Sequence, residues 1–178
     1  MIIPNRRSDF EYVTRWPQYI ILHDTMCLGK TDSGLILDKS TFQTNKFSNY
    51  VYQVFQRSDT GFHFILDKVA DDYQVVISQP ILTRCKYEDM EEKYQDAVHI
   101  SFLGDYNIEI PKNRLYSVLA FKLLSPLTRL FNLKEDRILF HSDISTEEGK
   151  VCPGENISMD RIQSYYSLLM RRQSLRRN

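Results

Sequence analysis

The sequence predicts an α/β (α+β) domain, a mixed central β-sheet flanked by helices. Three observations predict it. Five short apolar runs are each closed off by turn residues or polar breaks. Three longer stretches read as helices, one of them carrying apolar residues at helical spacing. The two kinds are interspersed along the chain, which calls for a sheet covered by helices rather than separate all-α and all-β layers.

The elements follow in order. Tyr19–Leu22 is an apolar run between Pro17 and the pair His23-Asp24, and reads as a buried strand. A helix is expected over Phe42–Phe55. Phe62–Leu66 follows the turn residues Asp59-Thr60-Gly61 and forms a second strand. Tyr73–Ser78 is a third, joined to the second by the polar stretch Asp67–Asp72, so the pair reads as a hairpin with a longer loop. Val98–Leu103 is a fourth strand, ended by Gly104-Asp105. Leu115, Val118, Leu119, Leu123, Leu127, Leu130 and Phe131 then recur at helical spacing. Pro126 interrupts them, either as a kink or as the first position of a new helix capped by Ser125. Arg137–Phe140 is the fifth strand, ending at His141. A last helix runs from Ser158, as its cap, to about Arg172.

Composition bounds the function. The chain has 178 residues, 42% of them hydrophobic, enough for one domain with a real core. Lys and Arg (23) balance Asp and Glu (23), which disfavours a dedicated nucleic-acid module. No apolar run is long enough for stable membrane insertion. No apolar segment follows Arg6-Arg7, so the expectation is cytoplasmic synthesis without a signal peptide. Three cysteines (Cys27, Cys85, Cys152) are too few for a disulfide framework and suggest free thiols or a metal ligand. The expected layout is an N-terminal extension (1–17), one domain (18–172) and a basic tail (173–178). The four arginines from Arg171 onward suit either a solvated helix end or a weak contact with an anionic polymer. The chain is expected to act as a monomer.

Two histidines stand at equivalent places, His23 after the first strand and His141 after the fifth. If those strands are parallel neighbours, both imidazoles reach one edge of the sheet, where open sheets place their sites. Cys152 lies in Cys152-Pro153-Gly154, a turn that can bring the thiol back toward His141. Two imidazoles and a thiolate with one position left for water make a catalytic zinc arrangement, and nitrogen and sulfur donors favour zinc over magnesium or calcium. The alternative is two polar residues at strand ends and an unrelated buried thiol.

The wording around these residues adds to the spacing. Tyr19–Thr25 (YIILHDT), Asp59–Asp67 (DTGFHFILD), Ala97–Gly104 (AVHISFLG), Leu139–Ile144 (LFHSDI) and Lys150–Gly154 (KVCPG) resemble, in order, motifs of the zinc N-acetylmuramoyl-L-alanine amidase and peptidoglycan recognition protein family. The resemblance spans Gln18 to Met170. It implies that His23, His141 and Cys152 bind Zn2+ and that Lys150 lies beside the metal as a catalytic cation. It implies a peptidoglycan or muropeptide substrate, cut at the amide between N-acetylmuramic acid and L-alanine by an endolysin-like enzyme that reaches the wall on release. Family members with the full ligand set cleave, whereas recognition proteins lacking the cysteine generally only bind.

Two positions depart from the family pattern. Phe62 stands where many catalytic relatives have a tyrosine, and Ser101 where some have a glutamate base. His99, two residues from Ser101 on the same face of its strand, is the candidate general base, with a simply buried, satisfied histidine as the alternative. His63 matches a family histidine that is not a metal ligand, and reads either as structural or as a support behind the ligands. Asp143 either orients His141 or caps the following turn. The alternative to an enzyme is a muropeptide-binding module, or a regulatory protein-interaction domain, on the same fold.

Overall fold

The computed structural model describes residues 11–25, 61–69 and 72–175. The helix expected over Phe42–Phe55 lies outside them. The five apolar runs become five strands, β1 (Ile20–Asp24), β2 (Phe64–Val69), β3 (Asp72–Ile77), β4 (Val98–Phe102) and β5 (Ile138–Phe140). They form one sheet in the order β3-β2-β4-β1-β5. β1 pairs in parallel with β4 on one side and β5 on the other, and β4 pairs in parallel with β2. β2 and β3 form the expected antiparallel hairpin. Phe62 and His63 precede β2 rather than belonging to it.

Every residue of β1 and β4 is buried, which is how the inner strands of a parallel sheet covered on both faces behave. Alternation sorts their side chains. Ile20, Leu22, Val98, Ile100 and Phe102 face the larger core, under the helices. Ile21 joins a smaller cluster on the other face, with Ile65, Cys85, Tyr87, Met90, Ala97 and Leu103. By the same alternation His23, His99 and Ser101 belong to this second face. A short helix, α1 (Glu92–Gln95), leads into β4.

The larger core is roofed by α2 (Asn113–Val118), a π-helical turn (Leu119–Leu124), α3 (Ser125–Leu130) and α4 (Met159–Leu175). The helical backbone passes through Pro126 without a break. Ser125 has helical torsions (φ −62°, ψ −47°) and so does not act as a cap. Proline leaves the carbonyl of Lys122 without its usual i+4 donor, and the widened π turn lies just before it. Thr128 Oγ1 donates to the Leu124 carbonyl at 2.7 Å and contacts the Tyr166 hydroxyl at 2.9 Å, tying this helix to α4. From the end of the π turn onward the buried row is Leu123, Leu124, Leu127, Thr128 and Phe131, so Leu130, expected in the core, is exposed. At α4, Ser158 Oγ accepts from the Arg161 N–H, the expected cap, and the helix runs on to Leu175. Among the described residues no helix is long and apolar enough to cross a membrane.

Candidate metal centre

Parallel pairing of β1 and β5 brings their C-terminal ends side by side, and both histidines sit there. His23 is the fourth residue of β1, and His141 opens the short 3-10 turn His141–Asp143 directly after β5. Their rings lie 4.6 Å apart between centroids. The turn at Cys152 is tied to the same place, because the Ser142 N–H donates to the Cys152 carbonyl at 3.0 Å. One ligand atom each of His23, His141 and Cys152 falls within 4.8 Å of the others, and all three residues are buried. His23 Nδ1 is 4.0 Å from Cys152 Sγ, and Asp24 Oδ1 lies 3.9 Å from that sulfur. Cys152 is disulfide-bonded in the structure, so a metal would take it as the thiolate of the reduced protein.

The far nitrogens of the two imidazoles are held. His141 Nε2 meets Asp89 Oδ2 at 3.0 Å. That contact is an ion-pair distance only, and both His141 ring nitrogens are buried without a hydrogen-bond partner of good geometry among the described residues. His23 Nε2 meets His99 Nδ1 at 2.9 Å. Metal-binding histidines commonly have such a polar neighbour at the second ring nitrogen. The donor set therefore fits a thiophilic metal such as zinc.

Asp89 carries more than one load. Its Oδ2 also accepts from Lys150 Nζ at 2.6 Å and from Ser145 Oγ at 2.8 Å. Its carbonyl accepts from the Thr146 N–H at 2.8 Å, and the adjacent Met90 bridges Ser145. Burial raises the Asp89 pKa, but Lys150, Ser145 and His141 outweigh it and hold the carboxyl below its ordinary value. Lys150 also pairs with Glu147 at 3.2 Å. Asp143, left open between two roles, caps its own turn by accepting from the Phe140 N–H at 2.9 Å. Orienting His141 falls to Asp89, which nothing in the sequence marks.

Aromatic rings wall the site. Tyr87 stacks on His23 with 5.0 Å between centroids and an interplanar angle of 13°, and Phe62 lies 5.2 Å from the same ring. The Tyr87 hydroxyl donates to the Gly61 carbonyl at 2.7 Å. Ser101 pairs in register with His23, and its Oγ is buried without a hydrogen-bond partner among the described residues.

No protein-family model matches the sequence, and no curated protein sequence matches it significantly. Solved structures do match. The Ph2119 endolysin from the Thermus scotoductus MAT2119 bacteriophage Ph2119 superposes with a TM-score of 0.64 at 15% identity, covering 88% of this chain and 89% of that one. The N-acetylmuramoyl-L-alanine amidase LysC from Clostridium intestinale URNW gives 0.61 at 18% identity, covering 89% and 94%. Drosophila peptidoglycan recognition protein SD gives 0.59 at 17% identity, covering 90% and 83%. The fold is that of the peptidoglycan recognition proteins and N-acetylmuramoyl-L-alanine amidases.

Within this amidase-like fold, burial sets the charge state of the histidines. It pushes His23 and His99 well below the ordinary imidazole value and His141 down to about 4 despite the Asp89 carboxylate. His63 is likewise pushed down to about 4 by burial, against its two backbone hydrogen bonds. Its Nδ1 accepts from the His99 N–H at 2.9 Å and its Nε2 donates to the Thr83 carbonyl at 2.8 Å. The sign is fixed by linkage. Below about pH 6.5 the unfolded chain takes a proton that native His63 refuses, so stability is lost as pH falls toward about 4. The His63 share of that loss is roughly 3 kcal/mol. Urea unfolding of metal-free protein across this range should show the decline, and His63→Asn, which keeps an acceptor for the His99 N–H, should flatten it. Equal slopes for the two proteins would exclude His63 as a source.

Proposed function

We propose that this protein is a zinc-dependent peptidoglycan amidase that cleaves the bond between N-acetylmuramic acid and the L-alanine of the stem peptide. The observation that carries the reading is the convergence of His23, His141 and Cys152, with a bare His141 Nδ1, at the strand ends of an amidase-type fold. Zinc held there supplies a Lewis acid that polarises the amide carbonyl and lowers the pKa of water.

The chain's own residues do the rest. Asp89 and His99 hold the far nitrogens of His141 and His23. The Lys150 ammonium, anchored by Asp89 and Glu147 through two of its three N–H groups, offers the third to the oxyanion of the tetrahedral intermediate. Phe62 and Tyr87 exclude water from behind His23. Action on the wall after release, as endolysins act, is part of the same proposal.

A second reading keeps the metal and loses the cut. Phe62 brings no hydroxyl to the site and Ser101 is a poor base, so a muropeptide binder is the alternative. The deciding experiment measures zinc content in reducing buffer, then cleavage of a purified muramoyl-peptide with and without chelator. Chelator-sensitive release of the stem peptide is expected; bound zinc with no release would favour the binder. In the same assay Lys150→Ala should retain zinc and lose about 100- to 1,000-fold in kcat. Undiminished turnover would remove Lys150 from the mechanism.

A further inference from the structure

We propose that His99 is a positioning residue that locks His23 in the tautomer a metal requires, and that it does not act as the general base. The inference rests on the metal-binding part of the reading above and not on which bond is cleaved.

A chain of hydrogen bonds assigns every proton. His99 Nε2 faces the Tyr94 carbonyl at 2.9 Å, and a carbonyl only accepts, so this nitrogen carries hydrogen. His99 is fully buried, and among the described residues no carboxylate hydrogen-bonds to it, so it is neutral and its Nδ1 carries no hydrogen. That bare nitrogen lies 2.9 Å from His23 Nε2, which must then be the donor. A neutral imidazole has one N–H, so His23 Nδ1 keeps its lone pair, on the side where Cys152 Sγ lies at 4.0 Å.

The support extends one residue deeper. The His99 N–H donates to His63 Nδ1 at 2.9 Å, and His63 Nε2 donates to the Thr83 carbonyl at 2.8 Å. His99 is thus fixed at its backbone as well as at both ring nitrogens. It has no lone pair to offer a water molecule, because the one it has is used by His23. Swinging the ring out to act as a base would break bonds at both its nitrogens in a space without solvent access. The device mirrors the opposite ligand, where Asp89 holds His141 Nε2. One ligand is held by an anion and the other by a neutral ring, which adds one negative charge rather than two around the metal.

The test uses the reduced, metal-free full chain. Long-range 1H–15N NMR spectra report which nitrogen of His23 is protonated. Wild type should show the Nε2–H form. His99→Asn places an amide oxygen near the old Nδ1 and should keep that form. His99→Leu offers no acceptor and should show a mixture of tautomers. Zinc titrations should follow the same order, with His99→Asn close to wild type and His99→Leu weaker by about 10- to 100-fold. An Nδ1–H form of His23 in the wild type, or wild-type zinc affinity in a folded His99→Leu, would overturn the proposal. If His99→Leu does not fold, the wild-type and His99→Asn spectra still decide it. Correct tautomers and affinities in a protein that cuts no muropeptide would leave this inference standing while the amidase reading fails.

Discussion

Cys152→Ala is expected to abolish chelator-sensitive cleavage of a muramoyl-peptide and to weaken zinc binding about a thousandfold. Full four-ligand zinc sites release about 10–16 kcal/mol on binding, so one ligand of three protein donors is worth roughly 4 kcal/mol. Compared under reductant, where wild type also lacks the Cys152 disulfide, little else should change. The link between this turn and the His141 turn runs through the Cys152 carbonyl, which alanine keeps. The side chain is buried beside His23 and Asp24, and alanine leaves only a small void there. Far-ultraviolet circular dichroism should therefore match wild type while zinc content after dialysis, measured under reductant, drops to background. Cys85→Ala is the control. Cys85 is a buried cysteine that contacts Gln79 Nε2 at 3.0 Å and sits against His63, away from the three-residue cluster. That variant should keep its zinc and its turnover. A fully active Cys152→Ala protein would remove the thiolate from the site and with it the zinc mechanism proposed here.

The strands were legible because each inner strand of this sheet is buried on both faces and so is written as an unbroken apolar run; Tyr19–Leu22 and Val98–Leu103 are the examples. The ends of those runs also told where the imidazoles would gather, since parallel neighbours share an edge. The π turn before Pro126 left no mark in the pattern. Its apolar residues keep a helical period, and only the exposure of Leu130 betrays the change of phase. Asp89 was equally silent. It reaches His141 and Lys150 from 52 and 61 residues away through a bridge between two irregular segments, and periodicity says nothing about such contacts. For His99 the alternation of β4 gave the correct face. Its role depends on the Tyr94 carbonyl, which is main chain and invisible to any reading of residue types.

Gly154→Ala is expected to destabilise the fold by roughly 2–5 kcal/mol and to loosen the metal site with it. Gly154 has φ +101°, a conformation that side chains rarely adopt. A Cβ there would lie 2.6 Å from the Tyr106 carbonyl carbon, 2.8 Å from its Cβ and 2.9 Å from its carbonyl oxygen. These are main-chain and near-main-chain atoms, so no flexible side chain can swing aside. Tyr106 has little room to retreat, being buried in the larger core with its ring edge-on to Phe102 and its carbonyl accepting from the Asn156 N–H at 3.0 Å. The backbone strain costs about 1–2 kcal/mol and the overpacking about 1–3 more. Because Gly154 follows Cys152 by two residues, relief by moving the turn displaces the sulfur from the histidines. Gly149→Ala separates the two contributions, since Gly149 also has positive φ (+73°) but nothing within 4 Å of its would-be Cβ. It should lose only about 1 kcal/mol and bind zinc as wild type does. Urea unfolding and zinc titration of both variants test the account; equal stabilities for Gly149→Ala and Gly154→Ala would show that the Tyr106 backbone is not the wall against which the Cys152 turn is set.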